Sequence, residues 1–136
     1  MNYLLDTNAA SEPKRKHPDP KAAAWLREVD QERLYVSVLT LGEIEHGIIR
    51  LAQKNAAAAE IFREWARGIR LDFAERIIDV DLEIAETWGR ITARRSFPVI
   101  DSLLAATAIV RGMTLVTRNV RDIVDSGVKI LNPWSD

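Results

Sequence analysis

The stretch VIDSLLAATAIVRGMTLVTRN, residues 99–119, carries the clearest structural signal in the chain. Residues 99–111 are apolar on almost every side of a helix, which is typical of a helix buried inside a core. Gly112 then favours the end of that helix, and residues 114–117 are predicted to form a short buried strand. A helix followed directly by a strand is a building unit of α/β proteins, so this stretch predicts that fold class.

The same alternation of strands and helices extends over the rest of the chain. Short apolar runs predict further strands at residues 3–5, 34–36, 77–80 and 129–131. Apolar residues recur at helical spacing between them, and the longest of these helices is predicted from Asn55 to about Phe73. The predicted caps of the other helices are Asp19 followed by Pro20, Ser37 or Thr40, and Asp81. The pattern predicts a mainly parallel central sheet of four to five strands with helices on both faces.

Composition and charge limit the function classes. The length predicts one domain over residues 1–136, and 47% hydrophobic with 29% charged residues is typical of a folded domain. Because the net charge is −1, any binding of nucleic acid needs a local basic patch. The absence of cysteine excludes disulfides, thiolate nucleophiles and cysteine-ligated zinc. No signal-peptide pattern and no long apolar run occurs, so we expect a cytoplasmic protein without a membrane span.

Four carboxylates follow predicted strands or lie near the start of the next helix: Asp6, Glu43, Asp101 and Asp122. Ligands of parallel sheets bind beyond the carboxyl ends of the strands, so we expect these side chains to converge there. Without a cation, each close pair would repel by a few kcal/mol at an effective dielectric constant of about 20. Oxygen donors are the preferred ligands of Mg²⁺ and Mn²⁺, so the pattern predicts a site for one of these ions.

Each of these carboxylates also has a purely structural interpretation. An aspartate after a strand, such as Asp6, often forms a turn, and Asp101 is well placed to favour the dipole of its helix. Glu43 has the spacing of a capping box with Thr40, and Glu45 lies as near the apolar stripe as Glu43 does. Asp122 is equally typical of a helix cap or a surface residue. Asp125, close by in the sequence, is an alternative to Asp122 as the fourth carboxylate.

Other chemistries have weaker sequence support. His17 and His46 would need to pair for RNA cleavage without a metal, and no pattern brings them together. No dinucleotide-binding, P-loop or G-x-S-x-G motif occurs. In a phosphotransfer or phosphatase domain Asp6 would be the nucleophile, but the sequence DTN lacks the second aspartate of dehalogenase-like phosphatases. A non-catalytic module that docks a basic peptide on the acidic edge is the remaining alternative.

Four segments, in this order, resemble the signature blocks of PIN domains: LLDTN at 4–8, TLGEIEHG at 40–47, VIDSLLAATA at 99–108 and LVTRNVRD at 115–122. The resemblance spans the chain and is nearest to the VapC-type toxins of bacterial toxin–antitoxin pairs. The sequences SEP at 11–13 and NPW at 132–134 resemble the FitB-like branch of that group.

The resemblance implies a function and a set of site residues. It implies an endoribonuclease toxin that uses Mg²⁺ or Mn²⁺, inhibits translation or growth, and forms a homodimer. A small antitoxin would cover the active site, and operator DNA would be contacted only indirectly, through the antitoxin. The implied metal ligands are Asp6, Glu43, Asp101 and Asp122, with polar support from Thr7, Thr117 and Asn119.

Basic and aromatic residues complete the predicted binding surfaces. The candidate contacts to RNA phosphates are Lys14, Arg15, Lys16, Arg94, Arg95, Arg118 and Arg121, although exposed cations are often just solvated. Residues 11–20, SEPKRKHPDP, are predicted to form the loop that carries the first three. The aromatic residues Phe62, Trp65 and Trp88 lie on helical stripes that either pack in the core or meet a dimer partner or an antitoxin helix.

Overall fold

A computed structural model describes residues 1–135, in which strands and helices alternate as predicted. The strands are Tyr3–Leu5 (β1), Leu34–Ser37 (β2), Ile77–Ile78 (β3), Thr114–Val116 (β4) and Ile130–Leu131 (β5). The helices are Thr7–Ser11 (α1), Pro20–Glu28 (α2), Val38–Ala52 (α3), Ala56–Asp72 (α4), Leu82–Thr92 (α5), Val99–Arg111 (α6) and Val120–Ile123 (α7). No helix within residues 1–135 is both long and apolar enough to cross a membrane.

The strands form one parallel sheet in the order β3-β2-β1-β4-β5. β1 is central, and Tyr3 aligns with Leu34 of β2 on one side and with Thr114 of β4 on the other. The chain adds β2 and β3 on one side of β1 and then returns to add β4 and β5 on the other. Such a reversal opens a crevice at the carboxyl ends of the central strands, where ligands of α/β folds bind.

Helices cover both faces of the sheet. Neighbouring residues of β1 point to opposite sides and are both apolar, so each face needs a helical layer to bury it. Leu4 packs in a cluster with Ile84 of α5 and Leu104 of α6. Leu5 packs in a second cluster with Trp25 of α2 and with Phe73, which follows α4. The predicted α/β fold class is therefore confirmed, with five parallel strands between two helical layers.

Local signals predicted several helix ends correctly. Asp19 caps α2 with Pro20 in the first turn, and Asp81 caps α5. The long helix α4 begins directly after Asn55, where its start was predicted. α6 ends at Gly112, whose φ of 66° lies in the left-handed region that favours glycine. These predictions succeed because a cap depends on residues within one turn of the helix end.

Other boundaries differ from the sequence predictions. Ser37, not Thr40, caps α3 by accepting a hydrogen bond from the Leu39 amide at 3.0 Å. Residues 11–20 are not all loop, because α1 ends at residue 11 and Glu12–Lys14 form a 3₁₀ turn. The third strand stops at residue 78 rather than 80, and the fourth at 116 rather than 117. The short helix α7 was not predicted.

Candidate active site

The candidate site lies at the carboxyl edge of the sheet, where β1 and β4 run side by side. Asp6 follows β1, and its amide continues the ladder by donating to the Val116 carbonyl at 3.0 Å. Glu43 lies in the second turn of α3, Asp101 in the first turn of α6, and Asp122 in α7. The sheet topology therefore brings elements that are distant in sequence to one edge.

Asp6 is the most deeply buried of the four carboxylates, with 3% of its surface exposed. Its Oδ1 accepts a hydrogen bond from the Ala9 amide at 2.7 Å, which caps α1, and its side chain also pairs with Thr117. Burial raises the pKa of Asp6 above its usual range, and the charges of Asp101 and Glu43 raise it further against the two hydrogen bonds. Its negative charge is therefore disfavoured unless a cation approaches.

Asp101 is half-buried at the start of the apolar helix α6. Burial raises the pKa of Asp101, followed by repulsion from Asp122 and then from Glu43. The electrostatic contacts of Asp6 and Asp101 together include every carboxylate that the resemblance implied. The four side chains are therefore linked by pairwise electrostatic interactions at this edge.

The structure separates Glu43 from its sequence neighbour Glu45. Glu43 accepts a short hydrogen bond from the Thr7 hydroxyl at the site, and Thr7 Oγ1 also lies 3.4 Å from the buried Thr40 Oγ1. Glu45 instead pairs with Arg63 of α4 at 3.5 Å. From the sequence, Thr40 was interpreted only as part of a capping box, and its contact with Thr7 at the site was not predicted. Its position one turn before Glu43 was the available signal, since residues three apart share a helix face.

The structure also separates Asp122 from Asp125. Asp122 acts on the pKa of Asp101, whereas Asp125 forms an ion pair with Arg95 on the surface. Beside Asp122, the hydroxyl of Thr117 accepts a hydrogen bond from the Asn119 amide at 3.0 Å, which fixes the turn that leads into α7. Asp122, rather than Asp125, is thus the residue whose charge acts on Asp101.

The donor set fits a hard divalent cation in its chemistry. Every converging side chain offers oxygen, and the raised pKa values of Asp6 and Asp101 mean that a nearby positive charge would lower the energy of the site. As they stand, no three carboxylate or histidine side chains in residues 1–135 are grouped closely enough to enclose an ion. Holding an ion at three points would therefore require side-chain rotation, most simply of the exposed Glu43 and Asp122.

The candidate phosphate-binding residues are mostly exposed, and several have partners within the protein. The Arg95 guanidinium pairs with Asp125 and lies 4.8 Å from the Phe97 ring centre. Arg118 lies 5.3 Å from the ring centre of Trp134. Arg15 pairs with a buried glutamate, Lys14 is half-buried, and Lys16, Arg94 and Arg121 are exposed.

Beside the acidic edge lies an apolar groove of about 270 Å³ between α3 and α4. Its lining comprises Thr7, Ser11, Glu43, Ile44, Gly47, Ile48, Leu51, Phe62 and Trp65. The predicted aromatic stripe on α4 therefore forms a groove wall. Trp88 packs instead against the main core and donates a hydrogen bond to Ser102 Oγ at 3.0 Å.

The two histidines are both exposed. His17 lies between the 3₁₀ turn and α2, and His46 lines a shallow cavity with Glu43 and Ile100. No hydrogen bond or ion pair joins His17 to His46 in the described part of the chain. The geometry thus favours the carboxylates over a histidine pair as the reactive groups.

Comparison with known proteins gives consistent results. The PIN domain family model matches residues 3–124. Toxin FitB of Neisseria gonorrhoeae is 32% identical over 139 residues, which cover 98% of this chain and 99% of that protein. A VapC ribonuclease of Sinorhizobium fredii is 31% identical, with 96% of each chain covered.

Solved structures agree with the sequence comparisons. A structure of FitAB bound to a DNA fragment matches with a TM-score of 0.90 and 31% identity, covering 98% of this chain and 96% of that one. A VapBC from Salmonella typhimurium, also bound to DNA, matches with a TM-score of 0.77 at 23% identity, which supports the fold alone. The sheet order, the carboxylate edge and these matches over nearly the whole length lead to one conclusion: the chain belongs to the PIN-domain family.

Proposed function

We propose that this protein is the toxin of a toxin–antitoxin pair and a metal-dependent endoribonuclease that acts on RNA in the cytoplasm and inhibits translation or growth. One observation carries the proposal: a buried aspartate, Asp6, and a half-buried one, Asp101, both have raised pKa values at the ligand-binding edge of the sheet. Carboxylates kept in so unfavourable a state are typical of functional sites. The relatives named as toxin and ribonuclease support the assignment.

Asp6, Glu43, Asp101 and Asp122 would hold Mg²⁺ or Mn²⁺. Such an ion, when bound, activates water and stabilises the charge that develops on the scissile phosphate. The side chains around the carboxylates would keep them in position. Thr7 holds Glu43 through its hydroxyl, and Thr117 and the Ala9 amide hold Asp6. Asn119, whose backbone is fixed by Thr117, would present its side chain next to Asp122.

The proposed partners are RNA, a cognate small antitoxin and a second copy of this chain. Structural relatives are described as complexes such as FitAB and VapBC, some of them bound to DNA, so operator DNA would be reached through the antitoxin. The apolar groove beside Glu43 would receive the antitoxin segment, and a basic residue of that segment would reach the carboxylates. Exposed apolar residues on α5 and α6, Leu82, Val99 and Ile109, are candidates for the homodimer contact.

Substitution of Asp101 tests the activity directly. Asp101→Asn removes one ligand charge from a half-buried position, so we expect RNA cleavage and growth inhibition to fall at least 100-fold while the circular dichroism spectrum is retained. The matched control is Asp125→Asn, which removes the same charge from the surface ion pair with Arg95 and should leave cleavage within about twofold. Sequencing the 5′ ends of cellular RNA after brief induction would identify the sites cut by the wild type.

Metal removal tests the mechanism. We expect EDTA to stop cleavage and added Mg²⁺ or Mn²⁺ to restore it. Undiminished cleavage in EDTA would contradict the metal mechanism and would favour RNA cleavage without a metal, by His17 and His46. Co-expression with the adjacent small open reading frame should rescue growth, and failure to co-purify any small partner would count against the toxin–antitoxin assignment.

A further inference from the structure

Glu12 is a buried carboxylate that takes no part in the site described above. Only 1% of its surface is exposed. One oxygen, Oε1, accepts a hydrogen bond from the Asp19 amide at 2.8 Å, and the other, Oε2, lies 3.5 Å from Arg15 Nη1. Burying a carboxylate is unfavourable unless it is paired. Because both partners follow Glu12 within seven residues, the carboxylate closes and fixes the loop of residues 12–19.

That loop carries a concentrated positive charge. Its sequence, EPKRKHPD, contains Lys14, Arg15 and Lys16, which form the only run of three consecutive basic residues in the chain. Two prolines in the same segment restrict its backbone, which further limits the conformations it samples. In a protein with a net charge of −1, a local basic patch of this kind is what binding to nucleic acid requires.

The loop borders the acidic site. The ammonium of Lys14 lies 5.9 Å from the centre of the Phe62 ring, within the range of a cation–π contact. Phe62 lines the groove whose wall also includes Thr7 and Glu43. Asp6 and the 3₁₀ turn are joined only by the five-residue helix α1, so the start of the basic loop is about one and a half helical turns along the chain from Asp6. A basic surface and an acidic edge thus flank one groove.

We infer that the loop of residues 12–19 binds the RNA backbone beside the scissile phosphate, with Glu12 as the residue that positions its cations. The inference rests on the proposed RNA cleavage and adds where the substrate is held. Lysine and arginine contacts to phosphates supply affinity that does not depend on sequence. A loop already fixed by Glu12 loses less conformational entropy when RNA binds, so the same cations bind more tightly.

Steady-state cleavage of a fluorescently labelled RNA of mixed sequence tests the inference on the full chain with Mg²⁺. The variant Lys14→Ala/Lys16→Ala should raise KM about tenfold with kcat within twofold. It should also reduce the dependence of log KM on log salt concentration by about 0.7 for each lost phosphate contact. The control Arg50→Ala/Lys54→Ala removes the same charge from the last turn of α3 and the turn that follows it, and should change KM less than twofold.

Glu12→Gln tests the positioning role. The glutamine keeps an acceptor for the Asp19 amide but no longer attracts Arg15, so KM should rise several-fold while kcat stays within twofold. An effect on folding alone would lower the melting temperature and leave KM unchanged, which would overturn the role of Glu12. If Glu12→Gln does not fold, the two lysines, which lie outside the core, still decide where the RNA binds.

Two other results would overturn the inference itself, and a third would overturn the proposed function on which it rests. Equal KM values for the lysine variant and the Arg50/Lys54 control would overturn the inference. Weaker binding of the antitoxin with an unchanged KM for RNA would assign the loop to the protein partner and overturn it as well. A wild-type protein that cleaves no RNA with Mg²⁺ or Mn²⁺ would overturn the proposed function, and the RNA-binding loop would fall with it.

Discussion

Replacing Asp6 with asparagine should stabilise the metal-free protein while abolishing its activity. Asp6 is buried, and its pKa is raised first by that burial and then by the charges of Asp101 and Glu43. Asparagine is isosteric, keeps an oxygen for the Ala9 amide and is an equally good helix cap. The substitution therefore removes an unfavourable charge without removing its hydrogen bonds.

The size of the effect follows from two opposing contributions. Burying an ionised carboxylate costs several kcal/mol in a real protein. The charge of the carboxylate strengthens each of the hydrogen bonds from Ala9 and Thr117 by roughly 1 kcal/mol over a neutral acceptor, which offsets part of that cost and leaves a net cost on the order of 1 kcal/mol. For a chain of 136 residues, we expect Asp6→Asn to raise the melting temperature by about 4 °C at pH 7 in EDTA.

The stability difference between Asp6→Asn and the wild type should depend on pH. A raised carboxyl pKa means that the folded protein keeps its proton to a higher pH than the unfolded chain does. At pH values below about 4, both states are protonated and Asp6 contributes no penalty. As the pH rises through the folded pKa, the wild type loses stability that Asp6→Asn retains. The advantage of the variant should therefore be present at pH 7 and vanish at low pH. Asp101, whose pKa is also raised, contributes with the same sign.

Thermal denaturation in EDTA from pH 3 to pH 8 checks this prediction. The matched control is Asp19→Asn, since Asp19 also caps a helix, through a 3.0 Å bond from the Ala22 amide, but is only partly buried. That control should shift the melting temperature by less than 2 °C at every pH. A lower melting temperature for Asp6→Asn at pH 7 would refute the reasoning. It would mean that hydrogen bonds to the carboxylate outweigh the cost of burying it.

The other predictions concern metal binding and packing. Mg²⁺ at 100 times its dissociation constant should stabilise the wild type by about 2.7 kcal/mol and stabilise Asp6→Asn much less; equal shifts in thermal denaturation would argue against a metal at Asp6. Gly112→Ala should destabilise by about 1 kcal/mol because φ is 66°, whereas Gly89→Ala, inside α5 with open space around its Cα, should not destabilise. A lower melting temperature for the Gly89 variant would contradict this reasoning. Trp88→Phe should cost about 1–2 kcal/mol in urea unfolding through the lost bond to Ser102, and an unchanged midpoint would show that this bond contributes nothing.

The structure changes which carboxylate and which cause are expected to dominate the raised pKa values of the site. The apolar helix that carries Asp101 suggests, from the sequence, that this carboxylate is the buried one and that repulsion by the other three is largest there. In the structure, burial is the leading cause of the raised pKa at both Asp6 and Asp101, and Asp6 is the more buried of the two. The most sensitive position for a stability measurement is therefore Asp6, at the end of the central strand.

The sequence by itself determined the features that depend on short stretches of chain. These features depend on residues within a turn or two of each other. They are the buried helix 99–111 with the glycine that ends it, the caps at Asp19 and Asp81, and the four short segments that contain the candidate carboxylates. Alternation of these elements was enough to predict a parallel sheet, and the position of Asp6 and Asp101 after a strand or in a first helical turn was enough to nominate them.

Only the tertiary structure distinguished between neighbouring residues of the same chemistry. Glu43 and Glu45 are equivalent in the helical pattern, and the sequence likewise leaves the choice between Asp122 and Asp125 open. Contacts with residues distant in the sequence decide both choices, because Glu45 and Asp125 pair with surface arginines while Glu43 and Asp122 act on Asp101. In the sequence, Glu12 lies in a proline-rich segment and nothing indicates that its side chain is buried. Its burial becomes visible only in the structure, where it accepts a hydrogen bond from the Asp19 amide. Such assignments depend on which side chains meet across the fold, and that is set by the packing of whole helices against the sheet rather than by local spacing.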